Sequence, residues 1–267
     1  METERQPAVY FIGAGPGALD LLTLRAERLL RRADLILYAD SLVNPEITTL
    51  AKPGAKVIGT ASLALDEIVG LMVEAVGAGR LVARVHSGDS SLYGAIREQM
   101  VALRAAGVTY AVVPGVSSLF GAAAALGVEL TCPEVSQTVI ISRVAGRTPV
   151  PEREDLPALA THGTTLVLFL SVAQIDEVVS QLREGGYAAD TPAAVVYRAT
   201  WPDQQIVQAE LSALPTAVRA SGITHQALIL VGDALQAGPG SVPQPASRLY
   251  DPSFGHGWRA PRPGRRA

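Results

Sequence analysis

Cysteine is nearly missing. A single residue, Cys132, occurs in 267, which excludes an internal disulfide and leaves any cysteine-based metal site in need of other ligands. A small buried hydrophobe is the reading it favours. Lysine is as scarce, with Lys52 and Lys56 alone beside abundant Arg, Ala and Gly, a compositional bias without functional content. There is no basic surplus: the formal net charge of −3 argues against a general nucleic-acid binder, which needs cations to neutralise phosphates. No apolar run approaches the roughly 20 residues of a membrane span. The opening Met1-Glu2-Thr3-Glu4-Arg5 lacks the apolar core of a signal peptide, so a cytoplasmic location is expected. The histidines, His86, His162, His225 and His256, have no metal-ligand spacing among them, and no metal is expected.

What is present is a composition typical of a packed soluble enzyme, 48% apolar and 18% charged. The chain is long enough for one large or two modest domains. Strand-like runs at Val9–Gly13, Leu35–Tyr38, Lys56–Gly59, Leu81–His86 and Tyr110–Val113 alternate with amphipathic stretches at Leu21–Arg32, Leu65–Val76 and Ala95–Ala105. A further helix is predicted over Ser117–Leu126. Continuous apolar strands alternating with helices imply a parallel or mostly parallel sheet covered on both faces.

Leu130-Thr131-Cys132-Pro133-Glu134 then reads as an extended linker, because proline moves its predecessor out of the helical region. New strands follow at Thr138–Ser142, Thr165–Leu170, Ala193–Arg198, Ile206–Ala209 and Ala227–Val231. Helices are predicted between them at Glu154–Ala160, Ala173–Glu184 and Leu211–Ala220. The expected organisation is an α/β chain of two domains, residues 1–130 and 131–236, each a mostly parallel or mixed sheet flanked by helices, with the active-site cleft between them. A Pro/Gly-rich flexible tail occupies 237–267. Its Tyr250, Phe254 and Trp258 are unusual in a tail and suit docking on the body or on a partner subunit.

The most informative stretch is Val9-Tyr10-Phe11-Ile12-Gly13-Ala14-Gly15-Pro16-Gly17, followed by Leu21-Leu22-Thr23. A strand entering a glycine turn suggests a dinucleotide site and hence a nicotinamide-dependent oxidoreductase. The third glycine of that fingerprint is absent, since position 18 is Ala, and Pro16 removes a backbone N–H that would face a pyrophosphate. Three more apolar strands end in small or polar residues. They are Ala83-Arg84-Val85-His86-Ser87-Gly88-Asp89-Ser90-Ser91-Leu92-Tyr93-Gly94, Val112-Val113-Pro114-Gly115-Val116-Ser117-Ser118, and Gly163 through Ser171. In open α/β sheets the carboxyl edge of the strands is where ligands bind. Each segment alone has a structural reading, with Asp89, Ser117 and Ser118 as helix caps. Ligand-like strand ends in both halves also speak against a non-catalytic sensing module.

Taken together and in this order, the segments resemble the tetrapyrrole methylase family over roughly residues 8–235. The matching features are the Gly-Pro-Gly turn with Leu-Leu-Thr, the Ser-Gly-Asp loop ending in Tyr93-Gly94, Pro-Gly-Val-Ser-Ser, Thr164 through Phe169, and Tyr197-Arg198-Ala199-Thr200-Trp201-Pro202-Asp203-Gln204-Gln205. Two features depart from the family pattern. Gly88-Asp89-Ser90 stands where Gly-Asp-Pro is usual, and Ala18-Leu19-Asp20 where Asp-Pro-Glu is usual. Within the family, Tyr38-Ala39-Asp40-Ser41-Leu42-Val43-Asn44-Pro45 and Tyr197 through Gln205 look most like the corrin-pathway enzymes that methylate carbon 11 of precorrin-4. A sibling acting at another ring carbon, or on the cobalt-containing substrate, stays open.

The resemblance implies S-adenosylmethionine (AdoMet) as cofactor, a tetrapyrrole substrate and a homodimer. It places AdoMet against Pro16, Ser87, Gly88, Asp89, Leu92, Ser117 and Ser118 of the first domain and Leu170, Arg198, Ala199 and Ala227 of the second. Asp40 and Ser41 fall in the substrate-facing loop. The macrocycle's carboxylates call for local arginines, with Arg84, Arg97, Arg143, Arg147 and Arg198 as candidates. Arg147 and Arg153 lie in a Pro-rich loop (145–153) suited to closing over a ligand, and His86 and Tyr93 are further candidates for lining the site. Asp89 and Tyr93 are the catalytic candidates. No strong base is required, because the carbon to be methylated is already enamine-like.

Overall fold

The computed structural model describes residues 6–237 and 247–262. Of the expected tail, residues 238–246 and 263–267 lie outside the described residues. The described piece is tied by Arg259, whose guanidinium donates to the carbonyls of Leu249 (2.6 Å), Asp251 (2.7 Å) and Phe254 (3.1 Å). Tyr250, Phe254 and Trp258 are exposed there. Among the described residues no helix is long and apolar enough to cross a membrane.

The chain divides into two compact units. The first comprises Met1–Ala122 together with Arg198–Gln205, and the second comprises Ala123–Tyr197 and Ile206–Ala267. The first unit carries β1 (Val9–Gly13), β2 (Leu35–Tyr38), β3 (Lys56–Gly59), β4 (Val82–His86) and β5 (Tyr110–Val113). They form one sheet in the order β3-β2-β4-β1-β5, with every adjacent pair parallel. Its helices are α1 (Leu24–Leu30), α2 (Leu65–Gly77), α3 (Ile96–Ala105) and the start of α4 (Ser118–Leu126). On one face, Ile12, Ile36, Ala83 and Val85 pack with Ala26, Leu29 and Leu30 of α1. On the other, Val9, Phe11, Leu37 and Val82 pack with Ile68 and Met72 of α2 and Leu103 of α3. Burial on both faces explains why these strands read as continuous apolar runs.

The helix expected over 21–32 splits into a 3-10 turn at Leu19–Leu21 and α1. Thr23 causes the break: its backbone is extended and its hydroxyl accepts the N–H of Ala26 at 3.2 Å, which starts the helix there.

The second unit holds β6 (Val139–Ser142), β7 (Thr165–Leu168), β8 (Pro192–Tyr197), β9 (Gln205–Glu210) and β10 (Ala227–Val231), in the order β6-β7-β10-β8-β9. This sheet is mixed: β6 and β7 are parallel, and β10 runs antiparallel to both β7 and β8. Helices α5 (Leu156–Ala160), α6 (Ile175–Glu184) and α7 (Leu214–Ser221) bring Leu156, Val178, Leu182, Leu214 and Val218 onto Leu166, Leu168, Val195 and Ile229. The linker expected to be extended at 130–134 is instead a closed turn. Cys132 bridges to Ser136, and its carbonyl accepts from the N–H groups of Val135 (3.2 Å) and Ser136 (3.0 Å). Pro133 has the fixed φ that the second position of a turn requires, so the proline that excluded helix promoted a turn. Cys132 itself is buried.

Two residues expected to bind substrate belong instead to the interior of the first unit. Arg84 and His86 point to the α2/α3 face of β4 and are each 5% exposed. Arg84 donates from Nε to Gln99 Oε1 (3.0 Å) and from Nη1 to the carbonyl of Leu37 (3.3 Å). Burial pushes its pKa down to about 10, opposed by the nearby charge of Asp40. The ring of His86 lies 6.3 Å from that of Phe11, and burial, followed by the charge of Arg84, lowers its pKa to about 3.

A stability signature follows. Between about pH 3 and 6.5 the unfolded chain takes up a proton at His86 that the folded chain refuses, so stability rises with pH through that window. The slope is about 1.4 kcal/mol per pH unit. Denaturant unfolding at about pH 5 and 6.5 should give a pH dependence that is flatter by this amount in His86→Leu. Equal slopes in the two proteins would mean that His86 titrates normally in the fold.

Candidate functional site

The carboxyl ends of β4, β1 and β5 are neighbours, with Gly13 opposite His86 and Ile12 opposite Val113. The loops that leave them converge backbone on backbone. A Cβ at Gly13 would stand 2.6 Å from the carbonyl oxygen of Gly88 and 2.7 Å from Cα of Gly115. One at Gly115 would stand 2.2 Å from that same oxygen. Gly88, at φ +61, exchanges two hydrogen bonds with Gly15, at 2.8 and 3.2 Å, and the N–H of Ala14 donates to the carbonyl of His86 at 2.8 Å.

Asp89 closes the arrangement. One carboxylate oxygen accepts the N–H of Gly115 at 2.8 Å, and the other accepts from the amide of Ser91 at 2.9 Å and from its hydroxyl. Burial works to raise the Asp89 pKa, but these donors hold it below the usual carboxylate range. The side chain is therefore an ionised clamp between the second and third loops. Ser87 and Gly88 lie at this junction. Ser117 is buried and its hydroxyl accepts from the N–H of Leu119 at 3.3 Å, the capping role that competes with ligand binding. Ser118 faces Gly88, with its N–H 3.2 Å from where a Cβ on that glycine would sit. Ser90, where the family usually has proline, is buried, and its hydroxyl meets no hydrogen-bond partner among the described residues.

The second loop then runs through Leu92 into Tyr93 and Ala95, both left-handed at φ 54 and 47. Gly94 lies between them, where a Cβ would meet the carbonyl of Ser90 at 2.2 Å. Tyr93 is exposed at 45%. Non-glycine residues forced to positive φ collect at functional loops more often than elsewhere. Leu170, at φ 55 and 63% exposed just past β7, and Arg198, at φ 44, share the property.

Around the Gly-Pro-Gly turn, backbone groups are already committed. The N–H of Gly15 goes to Gly88, the N–H of Ala18 to the Thr200 hydroxyl at 3.0 Å, and the carbonyl of Gly17 accepts from Asn44 Nδ2 at 3.1 Å. The carbonyl of Pro16 accepts from the indole N–H of Trp201 at 3.0 Å. Thr200 and Trp201 belong to the β8–β9 connection, which packs within the first unit. In the same connection, Ala199 would lie 3.5 Å from a Cβ on Gly121, and Pro16 2.7 Å from it. Arg198 pairs with Asp203 at 2.7 Å. Asn44, Thr200 and Trp201 stand in the stretches that carry the family resemblance, but the sequence assigned them no role of their own. One signal was available for Trp201, an indole in an otherwise polar loop.

A shallow depression, with enclosed room for about one water molecule, opens beside the turn, lined by Ala14, Gly15, Pro16, Gly17 and Leu19 on one side and Leu42, Val43, Asn44 and Ile47 on the other. Asp40 is exposed, with part of its carboxylate engaged by the fold. Its carboxylate accepts the N–H of Ala61 at 2.7 Å and covers Gly59. Ser41 follows it at the exposed end of β2. With the N–H groups of Gly15 and Ala18 turned inward and none on Pro16, the turn offers a pyrophosphate few donors. A sulfonium nucleoside needs no array of anion-binding amides.

The remaining candidates separate. Arg97 is exposed on α3. In the second unit, Arg143 is consumed by its own loop, donating to the carbonyls of Val144 (3.2 Å), Thr148 (3.1 Å) and Pro149 (2.7 Å). Arg147 is exposed in that loop, and Ala227 is buried as the first residue of β10, opposite Tyr197.

Comparison with known proteins agrees with this architecture. The profile of the Tetrapyrrole (Corrin/Porphyrin) Methylases matches residues 8–215. A cobalt-precorrin-4 C(11)-methyltransferase of Priestia megaterium is 49% identical over 94% of this chain and 97% of its own length. A precorrin-4 C(11)-methyltransferase of Mycobacterium tuberculosis is 49% identical over 86% of this chain and 92% of its own. The solved structure of a cobalt precorrin-4 methyltransferase superposes with a TM-score of 0.83 at 50% identity, covering 85% of this chain and 95% of the other. A uroporphyrin-III C-methyltransferase of Thermus thermophilus in complex with S-adenosylhomocysteine gives a TM-score of 0.70 at 31% identity, over 85% and 98% of the two chains. With its strand-end loops, its mixed second sheet and these matches along nearly its whole length, the chain belongs to the tetrapyrrole (corrin/porphyrin) methylase family.

Proposed function

We propose that this protein is an AdoMet-dependent C-methyltransferase that methylates carbon 11 of precorrin-4, giving precorrin-5 in cobalamin biosynthesis. The observation that carries the reading is the match along most of the chain, at 49% identity, to relatives named as cobalt-precorrin-4 and precorrin-4 C(11)-methyltransferases. When bound, the cofactor supplies an electrophilic methyl carbon, whose transfer makes a carbon–carbon bond, breaks a carbon–sulfur bond and releases S-adenosylhomocysteine (AdoHcy) and a proton.

The chain's own contribution is positional. Gly88, Ser117 and Ser118 frame the cofactor with backbone held by the glycine junction, and Asp89 fixes the distance between their loops. Pro16 and Ala199 bound the turn. Positioning of this kind accounts for about 7–11 kcal/mol of a bimolecular barrier. His86 stays neutral in the interior at physiological pH and takes no part in proton transfer. Tyr93, held out at the tip of its loop, and the Ser41 loop face the macrocycle in this reading. Arg97 and Arg147 are the exposed arginines that remain to meet its carboxylates. Residence in the cytoplasm and a homodimeric state belong to the same proposal.

A second reading, cobalt-precorrin-4 as the natural substrate, is favoured by the cobalt-named relative that covers 94% of this chain. The deciding experiment offers AdoMet with a carbon-13 methyl group to precorrin-4 and to its cobalt complex in parallel. Carbon-13 NMR should place the label at a newly quaternary carbon 11, and the faster substrate decides between the two. Label at another ring carbon, or none, defeats the assignment.

Two variants test the roles. Asp89→Ala removes charge-assisted hydrogen bonds worth about 1.5–3 kcal/mol each. It should weaken AdoHcy binding in calorimetry about tenfold or more, with Asp89→Asn, which keeps one acceptor, falling between. Arg147→Ala should raise KM for the macrocycle by up to about fivefold, the range of an exposed ion pair, and leave KM for AdoMet unchanged in steady-state kinetics.

A further inference from the structure

Trp201 makes contacts that neither core packing nor capping requires. Its indole edge lies over the Gly-Pro-Gly turn so closely that a Cβ on Gly17 would stand 2.1 Å from Cδ1 and 2.3 Å from Nε1. Nε1 donates to the carbonyl of Pro16 at 3.0 Å, one residue from the contact, so the ring reads both the height and the orientation of the turn. The ring is itself held. The Arg198 guanidinium lies over it, 4.7 Å from the ring centre, and pairs with Asp203 at 2.7 Å.

The loop that presents it is bent at two left-handed non-glycine positions, Arg198 at φ 44 and Thr200 at φ 71. Such conformations persist only where surrounding contacts over-determine them. One of those contacts is the bond from the Ala18 N–H to Thr200, at 3.0 Å. Pro16 and Gly17 line the depression beside the turn, so any displacement of the turn changes that surface.

We infer that Trp201 is a positioning residue of the cofactor site. Its indole is a spacer that sets the height of the Gly-Pro-Gly turn, so that AdoMet affinity depends on a residue 185 positions away from the carbonyl it holds. This rests on the AdoMet reading above and deepens it. Gly17 and Trp201 form a matched pair: the glycine is required because the indole is there.

A double-mutant cycle tests the pairing, with AdoHcy as the probe. All proteins carry Trp258→Phe, which removes the other tryptophan of the chain at a site 98% exposed. Trp201→Phe, which deletes the donor but keeps an aromatic ring, should weaken AdoHcy binding in calorimetry by up to about tenfold, the range of one lost hydrogen bond. KM for the macrocycle should stay within about twofold. Gly17→Ala should cost between about fivefold and 150-fold, as overpacking does. Gly17→Ala combined with Trp201→Ala should bind AdoHcy more tightly than Gly17→Ala alone, because the added methyl then has room.

That sign reversal is the decisive readout, since a residue with only a structural role makes the double variant worse than either single one. Trp201→Leu in place of Trp201→Ala gives the same comparison if the alanine variant fails to fold. Additive losses, or unchanged AdoHcy affinity in Trp201→Phe, overturn the inference. Failure of the parent protein to bind AdoHcy at all counts against the AdoMet reading instead.

Discussion

Three glycines in mutual contact determine what the first unit can be. At Gly13, Gly88 and Gly115 the backbone leaving three parallel strands comes together: a Cβ at Gly13 or Gly115 would fall 2.6 or 2.2 Å from the carbonyl oxygen of Gly88, and Gly88 itself holds φ +61. The heights of the three loops cannot then vary independently, and a shift in one moves the other two. Asp89 adds a charged hydrogen bond across the same gap. Loops on the surface of a protein are ordinarily its most variable part. Here they are as constrained as a core, because their first residues are packed backbone to backbone on a sheet that is apolar on both faces.

That constraint has an electrostatic consequence. A glycine turn at the end of a strand normally presents N–H groups outward and so selects phosphate. In this protein the N–H groups of Gly15 and Ala18 are spent on Gly88 and Thr200, and proline at position 16 has none to give. Of the carboxylates near this edge, Asp89 accepts from Gly115 and Ser91, and the exposed Asp40 accepts from the amide of Ala61. Such a turn has few donors left for a phosphate, and the AdoMet proposed as cofactor carries none. The same motif that suggests a dinucleotide fold thus arrives at different chemistry through where its hydrogen bonds go.

Strand positions were legible from the residues to an unusual degree. Val9–Gly13, Leu35–Tyr38, Lys56–Gly59, Tyr110–Val113 and Ala227–Val231 fall where apolar runs bounded by turn residues place them, because in a sheet buried on both faces each run has a definite beginning and end. The ligand-edge loops were legible for a related reason, their small residues being demanded by contact. What the residues did not reveal was non-local. Arg84 reads as a surface cation in Val-Ala-Arg-Val-His, and only Gln99 on α3, 15 residues on, shows that it is interior. Arg143 reads as a carboxylate binder until its own loop folds back onto it. Trp201 and Pro16 meet across 185 residues, and no periodicity or local spacing encodes that.

Part of the backbone strain lies on the loops that leave the strands. Tyr93, Leu170, Arg198 and Thr200 hold positive φ, at a cost of order 1–3 kcal/mol apiece, and all four lie on connections that leave strands or follow them closely. The strands behind them are the most heavily buried elements: every residue of β4, β7 and β10 is buried. Local preference and global fold agree within the strands, while strained positions lie in the connections, those at the carboxyl edges among them. The unpartnered hydroxyl of Ser90 belongs to the same pattern. A buried polar atom without a partner costs stability, and the bonds of Asp89 and Gly88 hold the loop around it.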